Sequence, residues 1–327
     1  MRLRFLLPEI NSYQTGGNIY NRQVLEFLRE RAEVEVVYQR SGRVELPAAP
    51  ADVTLIDSLL LTGATEFFPS LPENFVLLLH YLPELETGRF SDWRWLSNCG
   101  AILCTSRYTQ NLLQGRVPLA RENIGLAEPG LTEGFFEPLP VREAEKQINM
   151  VTFANLLPNK QYLETVKMLA GWPERDWQWH IRGESALQPA YAAEVEHQIN
   201  SLRLDSRIIL HPPVAPEKVP ALLDEADLFI LPSRFESYGM AVAEAAARGK
   251  RIVAFKTGGL PTTLRGYPAI YWAKAGDWTE FLEALQAAVS DLRRSGRKSV
   301  GTPPGWRFNS WRDTCQALWA FLYTVVI

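Results

Sequence analysis

Cysteine is scarce in this chain of 327 residues: Cys99, Cys104 and Cys315 are the whole supply, with no CxxC pair among them. That excludes a disulfide framework and suits a reducing compartment, where buried thiols behave as small apolar residues. Long apolar runs are missing too. No stretch approaches the ~20 apolar residues that span a bilayer, and the opening Met1-Arg2-Leu3-Arg4-Phe5-Leu6-Leu7 is too short for a signal peptide. It reads instead as a first buried strand, and a cytoplasmic location is expected. Strong charge of either sign is absent: the net charge is −3, which argues against a protein built to hold nucleic acid. Histidine is limited to His80, His180, His197 and His211, with no H-E-x-x-H or related ligand spacing. G-x-G-x-x-G, Walker A and Gly-x-Ser-x-Gly patterns are also lacking.

What is present is a soluble globular composition, 46% hydrophobic and 22% charged, in a chain long enough for two domains. Short apolar runs alternate with helical periodicity. Candidate strands in the first half are Arg2–Leu7, Val34–Tyr38, Val53–Ile56, Val76–His80 and Ala101–Thr105, with helices at Asn18–Arg31 and Tyr108–Gln114. A proline-rich, polar crossing at Phe136–Pro140 looks like a linker, and a second series follows: Asn149–Phe153, Trp177–Ile181, Ile208–Leu210, Leu228–Leu231, Arg251–Phe255 and Ala269–Trp272. Strand–helix alternation predicts an α/β chain of βαβ units on parallel sheets, with ligands at the carboxyl ends of the strands. The predicted domains are 1–140 and 141–304, followed by a terminal segment, 305–327. Trp311 and Trp319 are set to anchor that segment as a helix.

The most informative stretch runs from Phe235 to Ala245. A buried strand leads into Pro232-Ser233-Arg234, Glu236 sits in the following loop, Gly239 permits a sharp turn, and Glu244 lies one turn into an alanine-rich helix that Gly249 ends. Strand, loop and helix start make an anion site, because first-turn amides lack intrahelical partners. Two carboxylates eight residues apart can then meet different parts of one ligand. With Leu231-Pro232-Ser233 before it and Gly258-Gly259-Leu260-Pro261 after it, this stretch resembles the E-x7-E motif of retaining GT-B glycosyltransferases, family four, which includes sucrose and glycogen synthases.

The resemblance implies two Rossmann-like domains facing each other across a cleft, with the C-terminal helix crossing back to the first. It implies sugar transfer from a nucleotide-sugar donor (UDP-, GDP- or ADP-linked) with retention of anomeric configuration. Catalytic roles then fall to Glu236, His80 and Lys160: Glu236 orients the sugar, Lys160 clamps the diphosphate, and His80, ending an apolar run, contacts the sugar through a hydroxyl or a backbone carbonyl. The donor site comprises Gly16, Gly17, Asn155, Lys160, Ser237, Tyr238, Gly239, Met240, Ala241 and Glu244, with Glu244 on the ribose. Gln14-Thr15-Gly16-Gly17-Asn18 matches the glycine-rich loop that closes on donor phosphates, with Asn18 as a helix cap.

No Asp-x-Asp occurs, which counts against the other major glycosyltransferase fold and leaves no metal site and no cofactor expected. Three positions depart from the family pattern. Asn155 stands where an arginine is usual, so Arg182, Arg234 or another cation is needed; Thr262 replaces a glutamate; Ser237 replaces a glycine. Tyr81, Phe90, Trp93 and Trp95 suit an acceptor pocket, though core packing also accounts for aromatics there, and Glu128-Pro129-Gly130-Leu131 is another candidate cleft loop. The acceptor, whether a sugar, a lipid or a small molecule, is not legible. Arg293, Arg294, Arg297 and Lys298 leave room for a weak peripheral membrane contact, against the plainer reading of a solvated helix end. The alternatives to a transferase are an epimerase or phosphorylase-like enzyme on the same scaffold, and a non-catalytic nucleotide-sugar binder.

Overall fold

A computed structural model describes residues 1–9, 15–40, 45, 47, 49–61, 75–82, 85–86, 96, 99–139, 147–296, 300 and 307–326. The chain divides into two compact units, Met1–Gly130 with Asn309–Ile327, and Leu131–Phe308. Each is built on a six-stranded sheet in which every neighbouring pair runs parallel.

In the first unit the strands are β1 (Arg2–Pro8), β2 (Glu33–Gln39), β3 (Val53–Asp57), β4 (Phe75–Leu79), β5 (Ala101–Cys104) and β6 (Ile124–Leu126). Their order is β2-β1-β3-β4-β5-β6, so the connections reverse direction between β1 and β3. β3, β4 and β5 are buried along their whole length, as expected for parallel strands covered on both faces. Helix α1 (Gly16–Arg29) follows β1, and α2 (Arg107–Leu113) follows β5. The cap of α1 is Thr15 and not Asn18: the Thr15 hydroxyl accepts the Asn18 amide at 3.1 Å, and Asn18 is buried inside the first turn. A β-branched hydroxyl in extended backbone meets that amide without bending the helix. Ser106 caps α2 in the same way.

The second unit carries β7 (Ile148–Phe153), α3 (Tyr162–Gly171), β8 (Trp177–Arg182), α4 (Pro189–Ser201), β9 (Ile208–His211), α5 (Val219–Glu225), β10 (Leu228–Leu231), α6 (Met240–Ala247), β11 (Arg251–Lys256), α7 (Leu260–Thr263), β12 (Ile270–Lys274) and α8 (Trp278–Ser295). The order β12-β11-β10-β7-β8-β9 is the doubly wound arrangement, with its reversal between β7 and β10. One face packs on α3, α4 and α8 around Trp172, Trp177, Trp179, Val195 and Phe281. The other packs on α5, α6 and α7 around Leu223, Phe229, Val242 and Leu260. Polar groups bind the central strands together: Trp179 Nε1 donates to Thr152 Oγ1 at 2.9 Å, and Thr152 Oγ1 donates to the Ile230 carbonyl at 2.5 Å. These bonds cross from β8 through β7 to β10.

The last helix, α9 (Trp311–Val326), belongs to the first unit. Trp311 packs edge-on to Tyr20 of α1 with ring centroids 5.8 Å apart, and the Thr314 hydroxyl donates to the Glu128 carbonyl at 2.7 Å. Gly130 lies so close to the backbone of Ser310 and Trp311 that a Cβ there would come within 2.3 Å of an amide nitrogen. The stretch Glu128–Gly130 thus seats this helix. Trp319 is half-buried beside the exposed Tyr323, so Trp311, at 8% exposed, is the more deeply seated of the pair. Arg293 and Arg294 are engaged by Glu174 and Asp291, respectively, while Arg297 and Lys298 lie outside the described residues. All three cysteines are free and buried. Among the described residues no helix is long and apolar enough to cross a membrane. We expect Trp311→Ala to lower the stability of the first unit by about 3–5 kcal/mol, the cost of truncating a buried tryptophan, read as a lower urea midpoint.

Candidate nucleotide-sugar site

The reversal of the second sheet places two loops side by side, one after β7 and one after β10. Main-chain and amide groups tie them. Gln161 Nε2 donates to the Pro232 carbonyl at 2.7 Å, and the Arg234 amide donates to the Asn159 carbonyl at 2.7 Å. Gln161 itself holds a left-handed conformation, φ 54°, at the turn into α3. The result brings Lys160 to Glu236: Lys160 Nζ lies 2.5 Å from Glu236 Oε1, with each side chain 15% exposed. Two residues 76 apart in sequence thereby form one charged pair at the sheet's switch point, where ligands of open α/β sheets bind.

Glycines set the path of the second loop. Gly239 has φ 83°, and a Cβ there would come within 2.3 Å of Leu260 Cδ2. Gly258, φ 50°, passes so near the Glu236 carbonyl that a Cβ would meet it at 2.2 Å. Only glycine suits both the dihedral and the space. The Gly259 amide then donates to the Glu236 carbonyl at 2.8 Å, and Thr263 Oγ1 donates to the Tyr238 carbonyl at 2.7 Å. Those bonds fix Glu236, Ser237 and Tyr238 ahead of α6. No side chain caps α6, so the amides around Met240 and Ala241 begin the helix without one. Their partial positive charge favours an anion.

Glu244 follows one turn on, only part-exposed. Among the described residues its carboxylate has no hydrogen-bond or ion-pair partner, and burial pushes its pKa up to about 8. A carboxylate in that position gains from donor hydroxyls, which would satisfy its charged form.

Asn155 braces the loops: its Oδ1 accepts the Glu184 amide at 3.0 Å. Gly183 beside it packs against the Ala154 carbonyl, where a Cβ would lie at 2.1 Å. Arg182, half-buried at the end of β8, has its pKa lowered by burial while Glu225 opposes that shift. Arg234 is exposed, with its main chain held by Asn159 and by Thr257 Oγ1. Its guanidinium has no partner among the described residues. Thr262 lies in α7 with its amide on the Gly259 carbonyl.

The first unit holds the remaining residues after β1, β3 and β4. His80 follows β4, is 9% exposed, and sits above Gly17, whose Cβ position is 3.9 Å from the imidazole. Gly16 and Gly17 open α1, and the Tyr81 hydroxyl donates to Glu86 at 2.8 Å. Gln14, Phe90, Trp93 and Trp95 lie outside the described residues. Two groups escaped the sequence reading, Asn21 and Asp57, both fully buried beside His80. The available signal was a polar residue on the apolar face of α1 and an acidic end to an apolar strand. Among the described residues no three His, Cys, Asp or Glu side chains come together as a metal ion would require.

Residues 137–299 match the family model for glycosyl transferases group 1. The second unit is a glycosyl transferase group 1 domain. Curated relatives share parts of the chain. A D-inositol 3-phosphate glycosyltransferase of Nocardia farcinica is 32% identical over 120 residues, 36% of this chain and 26% of the relative. The mannosylfructose-phosphate synthase of Agrobacterium fabrum is 27% identical over 179 residues, 50% of this chain and 39% of the relative. These matches therefore span well under half of the relatives' own lengths. Among solved structures, Anabaena HepE in complex with UDP-glucose aligns over 98% of this chain and 99% of its own, at 17% identity and TM-score 0.72. Sucrose-phosphate synthase from Thermosynechococcus elongatus aligns over 99% and 96%, at 16% and TM-score 0.71. At such identities the likeness shows the fold, two Rossmann-like units of the GT-B kind.

The raised pKa of Glu244 has a consequence for stability. Folded Glu244 keeps its proton up to about pH 8, whereas the unfolded chain releases it near 4.5. The folded state therefore binds more protons between those values, and unliganded stability falls as pH rises through that window. We expect Glu244→Gln to flatten this slope, measured as urea midpoints against pH; an unchanged slope would show that the carboxyl is not set as described.

Proposed function

We propose that the protein is a glycosyltransferase of the family-four, E-x7-E kind, moving a sugar from a nucleotide-sugar donor to an acceptor with retention and without a metal. The observation that carries it is the Lys160–Glu236 pair beside the uncapped start of α6, with the open carboxylate of Glu244 one turn on. A nucleoside diphosphate sugar offers one group to each: ribose hydroxyls to Glu244, diphosphate to Lys160 and the amides of Met240 and Ala241, sugar hydroxyls to Glu236. This reading assigns Gly16 and Gly17 to the phosphates and His80 to the sugar.

Diphosphate arrival draws the Lys160 ammonium toward the phosphates and frees Glu236 for the sugar. The bond from the anomeric carbon to the diphosphate oxygen then breaks. Lysine, helix amides and Arg234 oppose the charge that develops on the leaving group. Arg234 takes the place left by Asn155, which is committed to the Glu184 amide. The pairing of Glu236 with Lys160 supports an orienting role over direct attack. The acceptor hydroxyl would approach from the leaving-group face, form its bond to the anomeric carbon and pass its proton to the departing phosphate oxygen.

Thermal melts with UDP, GDP, ADP and their sugar conjugates test the reading. Saturating the right nucleotide at a hundredfold excess over its Kd adds about 2.7 kcal/mol to stability. Glu244→Ala should abolish that shift; a well-folded protein that responds to none of these ligands would refute the donor site. Lys160→Ala and Arg234→Ala each remove a charge-assisted bond worth about 1.5–3 kcal/mol, so donor Kd should rise roughly tenfold to a hundredfold by calorimetry. An unchanged Kd in Arg234→Ala would leave Asn155 without a substitute.

A further inference from the structure

Two buried polar side chains in the first unit have no part in donor binding as described above. Asp57, which ends β3, uses both oxygens as acceptors. Oδ1 takes the Leu59 amide at 2.8 Å, and Oδ2 takes Asn21 Nδ2 at 2.5 Å. The Leu59 donor is main chain and cannot turn round. Asn21 must therefore keep its amino group toward Asp57, which leaves its carbonyl Oδ1 facing His80 Nε2 at 3.0 Å. A carbonyl oxygen accepts and never donates, so Nε2 must carry the hydrogen.

The main chain of His80 is held and its ring is packed. The His80 amide donates to Ser58 Oγ at 3.1 Å, the Tyr20 ring lies edge-on with centroids 5.0 Å apart, and Gly17 covers the imidazole. Burial lowers the His80 pKa and outweighs the opposing pull of Asp57, 3.7 Å from Nε2, so the ring is neutral and Nδ1 keeps a lone pair. Among the described residues Nδ1 has no partner.

We propose that Asn21 and Asp57 are positioning residues that hold His80 as the Nε2–H tautomer, so that Nδ1 accepts a hydrogen bond from a hydroxyl of the bound sugar. A backbone carbonyl could not occupy that place, because two acceptors would oppose each other. The identity of the ligand rests on the glycosyltransferase reading above; the tautomer does not.

The arrangement makes an unusual demand on one substitution. In Asp57→Asn the Leu59 amide still requires an oxygen opposite it, so the new amino group faces Asn21. Asn21 must then flip, donate to Nε2, and drive the proton to Nδ1. Long-range proton–nitrogen NMR of protein labelled with ring-15N histidine reads this directly, with the His80 signals assigned by their loss in His80→Gln. The expected result is Nε2–H in the unliganded wild type and Nδ1–H in Asp57→Asn. Nδ1–H in the wild type, or an unchanged tautomer in a folded Asp57→Asn, would overturn the proposal, since a merely structural aspartate has no reason to move that proton.

Asn21→Leu provides a second route should the first variant not fold. It removes the acceptor and should give a mixture of tautomers, whereas a pure Nε2–H form would count against the network. UDP-glucose, GDP-mannose and ADP-glucose are then titrated against their parent nucleotides. A nucleotide sugar that binds should move the wild-type Nδ1 resonance while its nucleotide alone leaves it in place. Equal movement with both would refute the sugar contact. Absence of binding by all six would sink the glycosyltransferase reading and, with it, the sugar contact, but leave the tautomer result standing.

Discussion

The parallel sheet of the second unit must reverse its winding somewhere, and everything at the candidate site depends on where it does. Between β7 and β10 the crossover helices depart to opposite faces, so the loops that follow those strands are left adjacent. The Gln161–Pro232 and Asn159–Arg234 bonds supply main-chain partners for both, and only then do Lys160 and Glu236 meet. The buried hydroxyl of Thr152, joined to Trp179 on one side and Ile230 on the other, braces the strands directly beneath.

Charge at this site is arranged in an unfinished state. The lysine and one glutamate neutralise each other, the second glutamate is raised toward neutrality by burial, and the helix amides ahead of it carry no cap. The last two are costs the unliganded fold bears. A ligand with a diphosphate beside hydroxyls would relieve both together, which is why the proposed donor fits the electrostatics.

Asn155 shows how a departure from a family pattern is absorbed. The side chain is not idle, since it bonds the amide of Glu184 and so links the loops after β7 and β8. In the proposed function its cationic duty passes to Arg234, exposed on the loop that also carries Glu236. The first unit uses the opposite strategy. Beside His80 the polar groups are tied to one another: Nε2 meets Asn21, Asn21 donates to Asp57, and the His80 amide donates to Ser58.

By itself the sequence determined the α/β class, the twofold βαβ series and most strand positions, because buried parallel strands are short apolar runs bounded by turn residues. Leu228–Leu231 is the clearest case; β6, only three residues with a glycine at its centre, carries too little pattern to stand out. The glycines at 239 and 258 were legible as turns, but only the fold gave their reason, the approach of Leu260 and of the Glu236 carbonyl. Tertiary structure alone decided that Lys160 pairs with Glu236, that Thr15 rather than Asn18 caps α1, and that Asn21 and Asp57 govern His80. Those contacts join residues between 3 and 76 positions apart through hydrogen-bond direction and strand order. Composition and periodicity report which residues are buried; they carry no information about which proton faces which lone pair.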